Sequence, residues 1–323
     1  MDILIDKNIS GKNIKQLLIG EMGYSSRMLK RLKFSPGGIL VNEQFKTVRY
    51  ELKEGDILSI ACEDTEEDTS PYIVPVELEI GIAYEDEHMT IADKPHSMPA
   101  HPSLGHRDDT VANALAYRYS QKPYVFRPVN RLDRDTSGLM ITANTRLAAF
   151  KLYQNMINGE IKKAYIAILD NTPPKDIDIL VSYMGRCEDS IVKRKICDEN
   201  DSAAKIAVTA YRTIAKTDKY TVVLASPVTG RTHQLRLHFP SVGCAVTGDT
   251  MYGKENEQIC RHALHAAYTA LPHPQTNEII TLYSPLPEDM VSLIGEDIAS
   301  EITCTLPEHI EQLMKQIENY EKI

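Results

Sequence analysis

Residues 130–138 read Asn130-Arg131-Leu132-Asp133-Arg134-Asp135-Thr136-Ser137-Gly138 and run straight into Leu139-Met140-Ile141-Thr142-Ala143. Two arginines bracket one aspartate, small hydroxyls and a glycine follow, and an apolar run with strand character comes next. A polar cluster this dense, placed directly before a strand, is anchored at one end and is no floppy tail. Opposite charge favours the ionised form of a carboxylate. An ionised carboxylate held in place can serve as nucleophile or base. The same residues can also form a surface turn with a local ion pair, which contributes little. The pattern by itself leaves both readings open.

Strand-like segments dominate on either side. Val76, Leu78 and Ile80 alternate; residues 89–93, 137–143, 165–169, 206–214 and 220–225 also read as strands. Helical spacing covers residues 111–119 and 145–157, with Asn144 as the expected cap and Gly159 as the stop. Residues 307–323 read as an amphipathic helix through Ile310, Leu313, Ile317 and Tyr320, packing on the body. Strands outnumber helices and do not alternate with them regularly. That pattern predicts an α+β body with a mixed, largely antiparallel sheet.

A smaller unit precedes it. Ile14, Leu17, Leu18 and Met22 follow helical spacing, and Ser25 or Ser26 can cap a second helix carrying Met28, Leu29 and Leu32. Gly37-Gly38 ends that helix, and strands follow at Ile39 and Val41 and at residues 57–60, with a turn at Asn42-Glu43. Residues 1–60 hold ten bases against seven acids, whereas residues 63–70 hold five acids and no base in a chain of net charge −9. This divides the chain into a small α/β module (residues 1–62), an acidic linker (63–72), a body (73–294) and a helical tail (295–323). The linker predicts that the small module moves relative to the body. Arg27, Lys30 and Arg31 share the second helix, without interleaved acids, and are the candidate phosphate contacts of the module.

Several function classes are excluded. The 323 residues are 42% hydrophobic and 25% charged, an ordinary globular composition. No apolar run approaches the roughly 20 residues that span a bilayer. The first ten residues lack the apolar core of a secretory signal, so a soluble cytoplasmic protein with no membrane partner is expected. Six scattered cysteines form no CxxC pair and read as reduced thiols. No GxxxxGK[ST], GxGxxG or GxSxG motif occurs. His233 and His238, and His262 and His265, lack the company of a metal site, so no metal is expected.

A second polar cluster runs from Pro227 through Thr229, Gly230, Arg231, Thr232, His233, Gln234 and Arg236 to His238. Thr229 can cap a helix starting near Gly230, which places arginines in its first turns. Cations there oppose the helix dipole, so they have something anionic to hold: a carboxylate, a phosphate or both. A third cluster joins Gly248-Asp249 and Tyr252-Gly253 to Arg261-His262-Ala263-Leu264-His265-Ala266.

Taken together, these residues resemble the RluA-type pseudouridine synthases. NRLDRDTSGLM is similar to the family signature H-R-L-D-x-x-T-S-G-L, with Asn130 in place of its histidine. Lys94-Pro95 with His101-Pro102, Lys163-Ala164-Tyr165, Gly230–His238, Asp249 with Tyr252-Gly253, and Arg261 with Leu264-His265-Ala266 follow in the family order. Residues 1–62 resemble the RNA-binding module of small-subunit ribosomal protein S-four. The resemblance covers nearly the whole chain. It implies a pseudouridine-synthase catalytic domain and an enzyme that detaches uracil from a uridine in RNA, rotates it and rejoins it through carbon. It assigns Asp133 as the catalytic aspartate and Tyr165 as the tyrosine that stacks on uracil and can act as base. It assigns Arg231 as the arginine that pairs with the aspartate, and Arg131 as the residue filling the gap left by a flipped nucleotide. Arg134, Lys94, His233 and Arg236 are expected RNA contacts, together with Arg27, Lys30 and Arg31. No metal and no cofactor is implied.

Chemistry agrees with the resemblance. A carboxylate close to the sugar can stabilise or capture positive charge as a glycosidic bond breaks. Reaching that bond in folded RNA requires the nucleotide to leave the stack. The resemblance implies large-subunit ribosomal RNA as the leading substrate, and a monomer is the expected state. The alternatives are a tRNA pseudouridine synthase and a non-catalytic RNA-binding or ribosome-assembly factor. The presence of Asp133, Tyr165 and Arg231 together favours the enzyme.

Overall fold

The computed structural model describes residues 2–7, 9–22, 24, 26–35, 37–61, 68–188, 190 and 192–321. In the small unit, β1 (Asp2–Leu4) precedes a π-helical turn at Gln16–Glu21, α1 (Ser26–Phe34), β2 (Ile39–Val41), β3 (Gln44–Phe45) and β4 (Ile57–Ile60). The four strands form an antiparallel sheet in the order β1-β4-β2-β3. Asn42 and Glu43 both take positive φ, 49° and 65°, the geometry that lets a two-residue turn follow strand twist. Ile14, Leu17, Leu18, Leu29, Leu32, Ile39, Val41, Leu58 and Ile60 close a core of their own.

The body holds β5 (Gly81–Glu85), β6 (Met89–Lys94), α2 (Val111–Arg118), β7 (Ser137–Ala143), α3 (Arg146–Ile157), β8 (Lys162–Leu169), β9 (Ile177–Arg186) and β10 (Arg194–Cys197). Then come β11 (Lys205–Lys216), β12 (Thr221–Pro227), α4 (Gln234–Ser241), β13 (Leu264–Pro272), β14 (Ile279–Tyr283), α5 (Glu288–Ile294) and α6 (Glu296–Glu321). Ten strands make one sheet in the order β10-β9-β11-β12-β8-β13-β7-β6-β5, with β14 also on β13. Its pairs are antiparallel except β13 on β7, where His265 lies opposite Ser137 and Ala266 opposite Gly138. That one parallel pair brings the residue 130–138 segment, which feeds β7, against the residue 261–266 segment, which feeds β13. The fold is the expected α+β arrangement.

Local physics explains where the elements depart from the sequence reading. Val76, Leu78 and Ile80 do alternate in burial but form no strand; β5 starts at Gly81, and Val76 N–H bonds only the Asn113 carbonyl. Alternation records a half-buried extended chain, and a ladder also needs a neighbour. α3 is capped by Thr145, whose hydroxyl accepts the Ala148 N–H, rather than by Asn144. Asn144 is used elsewhere, donating to the Asp86 carbonyl and accepting from the Thr90 hydroxyl. Gly159 does end the helical segment with φ +71°.

The C-terminal helix begins at Glu296 and passes through Pro307. Ile302, Leu306, Ile310, Leu313 and Ile317 are all buried in the main core, against β11 and β12. One apolar stripe on both sides of the proline outweighs the single backbone bond lost there. Residues 62–67 of the acidic linker lie outside the described residues. Asp68 at its described end has a nearly covered side chain, ion-paired to both Arg31 and Arg146. Leu147 of α3 packs on the small core. In this structure the small unit meets the body at these contacts.

Leu313 is fully buried. Leu313→Ala should cost about 3 kcal/mol of stability, read by chemical denaturation, because truncation opens a cavity in the main core. A loss below about 1 kcal/mol would mean that the helix is an appendage.

Candidate active site

The residue 130–138 segment is held at nearly every position. Asn130 Oδ1 accepts the Ile141 N–H at 2.7 Å, tying the segment's start to β7. Lys94 Nζ donates to the carbonyls of Arg134, Pro95 and Met98, each at 2.8 Å. Arg261 donates to the Asp135 carbonyl at 3.1 Å while gripping Asp289 through two bonds of 2.6 and 2.8 Å. Thr136 Oγ1 meets His262 Nε2 at 2.8 Å, and Ser137 Oγ meets His265 Nδ1 at 2.9 Å. Burial pushes these histidines down to about 2 and about 4, so both stay neutral. Gly138 takes φ +103°, and a Cβ there would sit 2.3 Å from the Ala266 carbonyl oxygen. Only glycine fits where β7 meets β13.

Lys94 corrects one expectation. It is 1% exposed, and its ammonium is spent on three carbonyls, so it positions the segment and does not reach RNA. Burial pulls its pKa down to about 7, against the charges of Asp135 and Asp133.

The segment delivers Asp133 to a cavity of about 560 Å³ formed with β8, the end of β12 and the start of α4. The Asp133 side chain keeps 27% of its exposure there. The arginine that pairs with it is Arg236, not Arg231. Arg236 Nη1 donates to Asp133 Oδ2 at 3.0 Å, while Nε and Nη2 donate to Asp249 at 2.7 and 2.9 Å. Arg231 lines the same cavity, with its Nε on the Ile206 carbonyl at 2.8 Å. The helix also starts later than the sequence predicts. Thr229 does not cap a helix; it accepts the Val208 N–H and donates to Gln234 Oε1. α4 opens one turn later, after His233, which takes the left-handed conformation at φ 57°. Arg236 then falls in the first turn. The anion expected beside cations at this helix end is a pair of carboxylates. Burial opposes the Arg236 charge, but Asp249 and then Asp133 more than offset it and raise its pKa. Arg236 is thus fully engaged within the protein, which corrects its expected place as an RNA contact.

Tyr165, on β8, is buried in the cavity wall. Burial, and then the charge of Asp133, push its phenol well above the usual value, so it stays protonated. Two residues before it on β8, Lys163 lines the cavity too, with its ammonium 3.6 Å from Met156 Sδ, and burial lowers its pKa to about 8. The sequence reading quoted Lys163 within a motif without giving it a role; its period-two spacing from Tyr165 was the available signal. Arg131 is exposed at the cavity wall with no hydrogen bond among the described residues, and Arg134 is exposed in a bidentate pair with Asp135. His233 Nε2 lies 3.8 Å from Asp133 Oδ1. Of the module's candidates, Lys30 is exposed on α1, Arg31 pairs with Asp68, and the Arg27 side chain lies outside the described residues. Among the described residues, no group of three or more histidines, cysteines or carboxylates could hold a metal ion, and no helix is long and apolar enough to cross a membrane.

A strand-borne tyrosine and a carboxylate clamped by arginine beside an open cleft suit chemistry on a flat ring attached to a sugar. The family model for RNA pseudouridylate synthase matches residues 88–241. A Bacillus subtilis (strain 168) protein named uncharacterized RNA pseudouridine synthase YjbO is 35% identical over 281 residues, covering 86% of this chain and 97% of its own. A protein of Nitrosomonas europaea named ribosomal large subunit pseudouridine synthase D is 30% identical, covering 91% of this chain and 87% of its own. The solved structure of human RNA pseudouridylate synthase domain containing 1 superposes with a TM-score of 0.54 at 26% identity, covering 64% of this chain and 83% of that one. The chain belongs to the RNA pseudouridine synthases of the RluA type. It is an isomerase acting on RNA.

The clamp makes a stability prediction. The Asp249 side chain is fully buried. Asp249→Ala leaves the buried Arg236 with only the partly exposed Asp133 to offset its charge and should cost about 3–5 kcal/mol, read by urea denaturation. A loss near zero would show that Asp133 alone suffices to hold Arg236.

Proposed function

We propose that the protein converts specific uridines of large-subunit ribosomal RNA to pseudouridine, with Asp133 as the catalytic carboxylate acting on a nucleotide flipped into the cavity. The observation carrying this reading is the Asp133 carboxylate itself, exposed to the cavity yet fixed through Arg236 to the buried Asp249. In the reaction, the bond between uracil N1 and the sugar C1′ breaks, and a bond between uracil C5 and C1′ forms. N1 ends with a proton and C5 gives one up. A fixed carboxylate stabilises or captures the positive charge at C1′ while the base is detached. Tyr165 supplies a ring face for the uracil and, being protonated, a hydrogen-bond donor in place of a base. Arg131, exposed at the cavity wall, is placed to enter the stack that the nucleotide leaves. Arg231 and Arg134 face the same opening and suit phosphate contacts. The small module adds Lys30 and its neighbours on α1 as a further electropositive surface. The name of the Nitrosomonas relative supports large-subunit ribosomal RNA as the substrate.

Asp133→Asn keeps the shape of the side chain and removes its charge. With RNA labelled with tritium at uracil C5, the variant should release none above background, while its RNA affinity in a gel-shift assay stays within about threefold of wild type. Full release by Asp133→Asn would refute the assignment.

A further inference from the structure

Beyond the cavity, a second concave surface lies between β10 and α4. It has a volume of about 550 Å³ and is lined by Lys193, Arg194, Lys195, Leu237, Met251 and Tyr252. β10 is the outermost strand of the ten-stranded sheet and, among the described residues, pairs only with β9. Three consecutive bases, Lys193-Arg194-Lys195, stand in a chain whose net charge is −9. Lys193 is exposed, and Lys195 pairs with the exposed Glu188 at 3.4 Å, a screened surface pair, with Asp201 also near enough to act on its charge.

The strand is also joined to the candidate catalytic carboxylate. Arg194 N–H donates to the Tyr252 hydroxyl oxygen at 2.8 Å. That oxygen lies 2.9 Å from His233 Nδ1, and His233 Nε2 faces Asp133 Oδ1 at 3.8 Å. A backbone N–H can only donate, so the Tyr252 oxygen accepts there, and its single proton is free to point at Nδ1. In that arrangement Nδ1 accepts and the imidazole proton sits on Nε2, the nitrogen that faces the carboxylate. The Tyr252 ring also lies under the Arg236 guanidinium, 5.4 Å from its centre. One residue therefore touches β10, His233 and the arginine that holds Asp133.

We propose that β10 and the groove beside it form a second RNA-phosphate surface, and that Tyr252 ties this surface to Asp133 by fixing the orientation and tautomer of His233. The tie rests on the reading of Asp133 as the catalytic carboxylate; the surface does not. RNA on the groove would bear on the main chain at Arg194, and hence on the hydroxyl that sets His233. Tyr252 and His233 are positioning residues in this arrangement.

The surface is tested by fluorescence anisotropy on a long fragment of large-subunit ribosomal RNA across a salt series, comparing the full-length protein with Lys193→Ala/Lys195→Ala. Each lysine that neutralises a phosphate contributes about 0.7–0.9 to the slope of log affinity against log salt, so the double variant should lose roughly 1.5. An unchanged slope overturns the surface. The tie is tested with Tyr252→Phe, which keeps the ring against Leu237 and removes only the hydroxyl. Imidazole NMR spectra of the wild type should show the His233 proton on Nε2. Tyr252→Phe should give mixed tautomers and lower kcat roughly tenfold while KM holds. A proton on Nδ1 in the wild type, or an undiminished kcat in Tyr252→Phe, overturns the tie. Salt dependence requires no turnover, so a wrong assignment of Asp133 would leave the binding result standing.

Discussion

The Arg236 guanidinium, shared between Asp249 and Asp133, is the contact on which the arrangement of this molecule turns. A buried charge is tolerable only when it is paired and its hydrogen-bonding groups are used. Asp249 satisfies two of the guanidinium nitrogens inside the protein, and the third is left aimed at the cavity. The carboxylate that meets it is thereby given one position and one orientation. The bidentate half sets geometry, and the single bond to Asp133 transfers that geometry to the cleft.

Everything else around the cleft serves to bring Asp133 to that guanidinium. The parallel contact of β7 with β13 requires Gly138 and sets the far end of the residue 130–138 segment. Lys94 and Arg261 hold its carbonyls from below, and two neutral histidines hold its hydroxyls. These are polar groups buried at the centre of a sheet, and each finds a partner, as interiors demand. The result is a loop with the fixity of a strand, which suits a group that must meet a transition state without reorganising.

Much of this was legible in the sequence, and the misses share a cause. Apolar period and caps located β6, β7, β8, α2 and α3 because those signals are local. β9, β10, β13 and β14 were not read, and the strand expected at Val76 dissolved, because pairing depends on neighbours far along the chain. At the site, the resemblance picked out Asp133 and Tyr165 by residue type and order, and both line the cavity. The arginine differs: the resemblance assigns Arg231, the first arginine of the Gly230–His238 motif, whereas Arg236, in the first turn of α4, is the one that reaches Asp133. Lys94, an RNA contact by the resemblance, is buried. Three carbonyl acceptors converging on one ammonium cannot be seen in a linear string. Asn130, which departs from the family pattern, proves to hold a backbone N–H of β7, a task that an amide oxygen performs.

The measurement that tests the central claim most directly is pseudouridine mapping of total RNA from cells lacking this gene and from the same cells carrying wild-type or Asp133→Asn copies. The account predicts that defined sites in large-subunit ribosomal RNA disappear with the gene, return with the wild type and stay absent with Asp133→Asn. Return of those sites with Asp133→Asn would contradict the role given to the clamped carboxylate. Loss confined to other RNA would contradict the substrate.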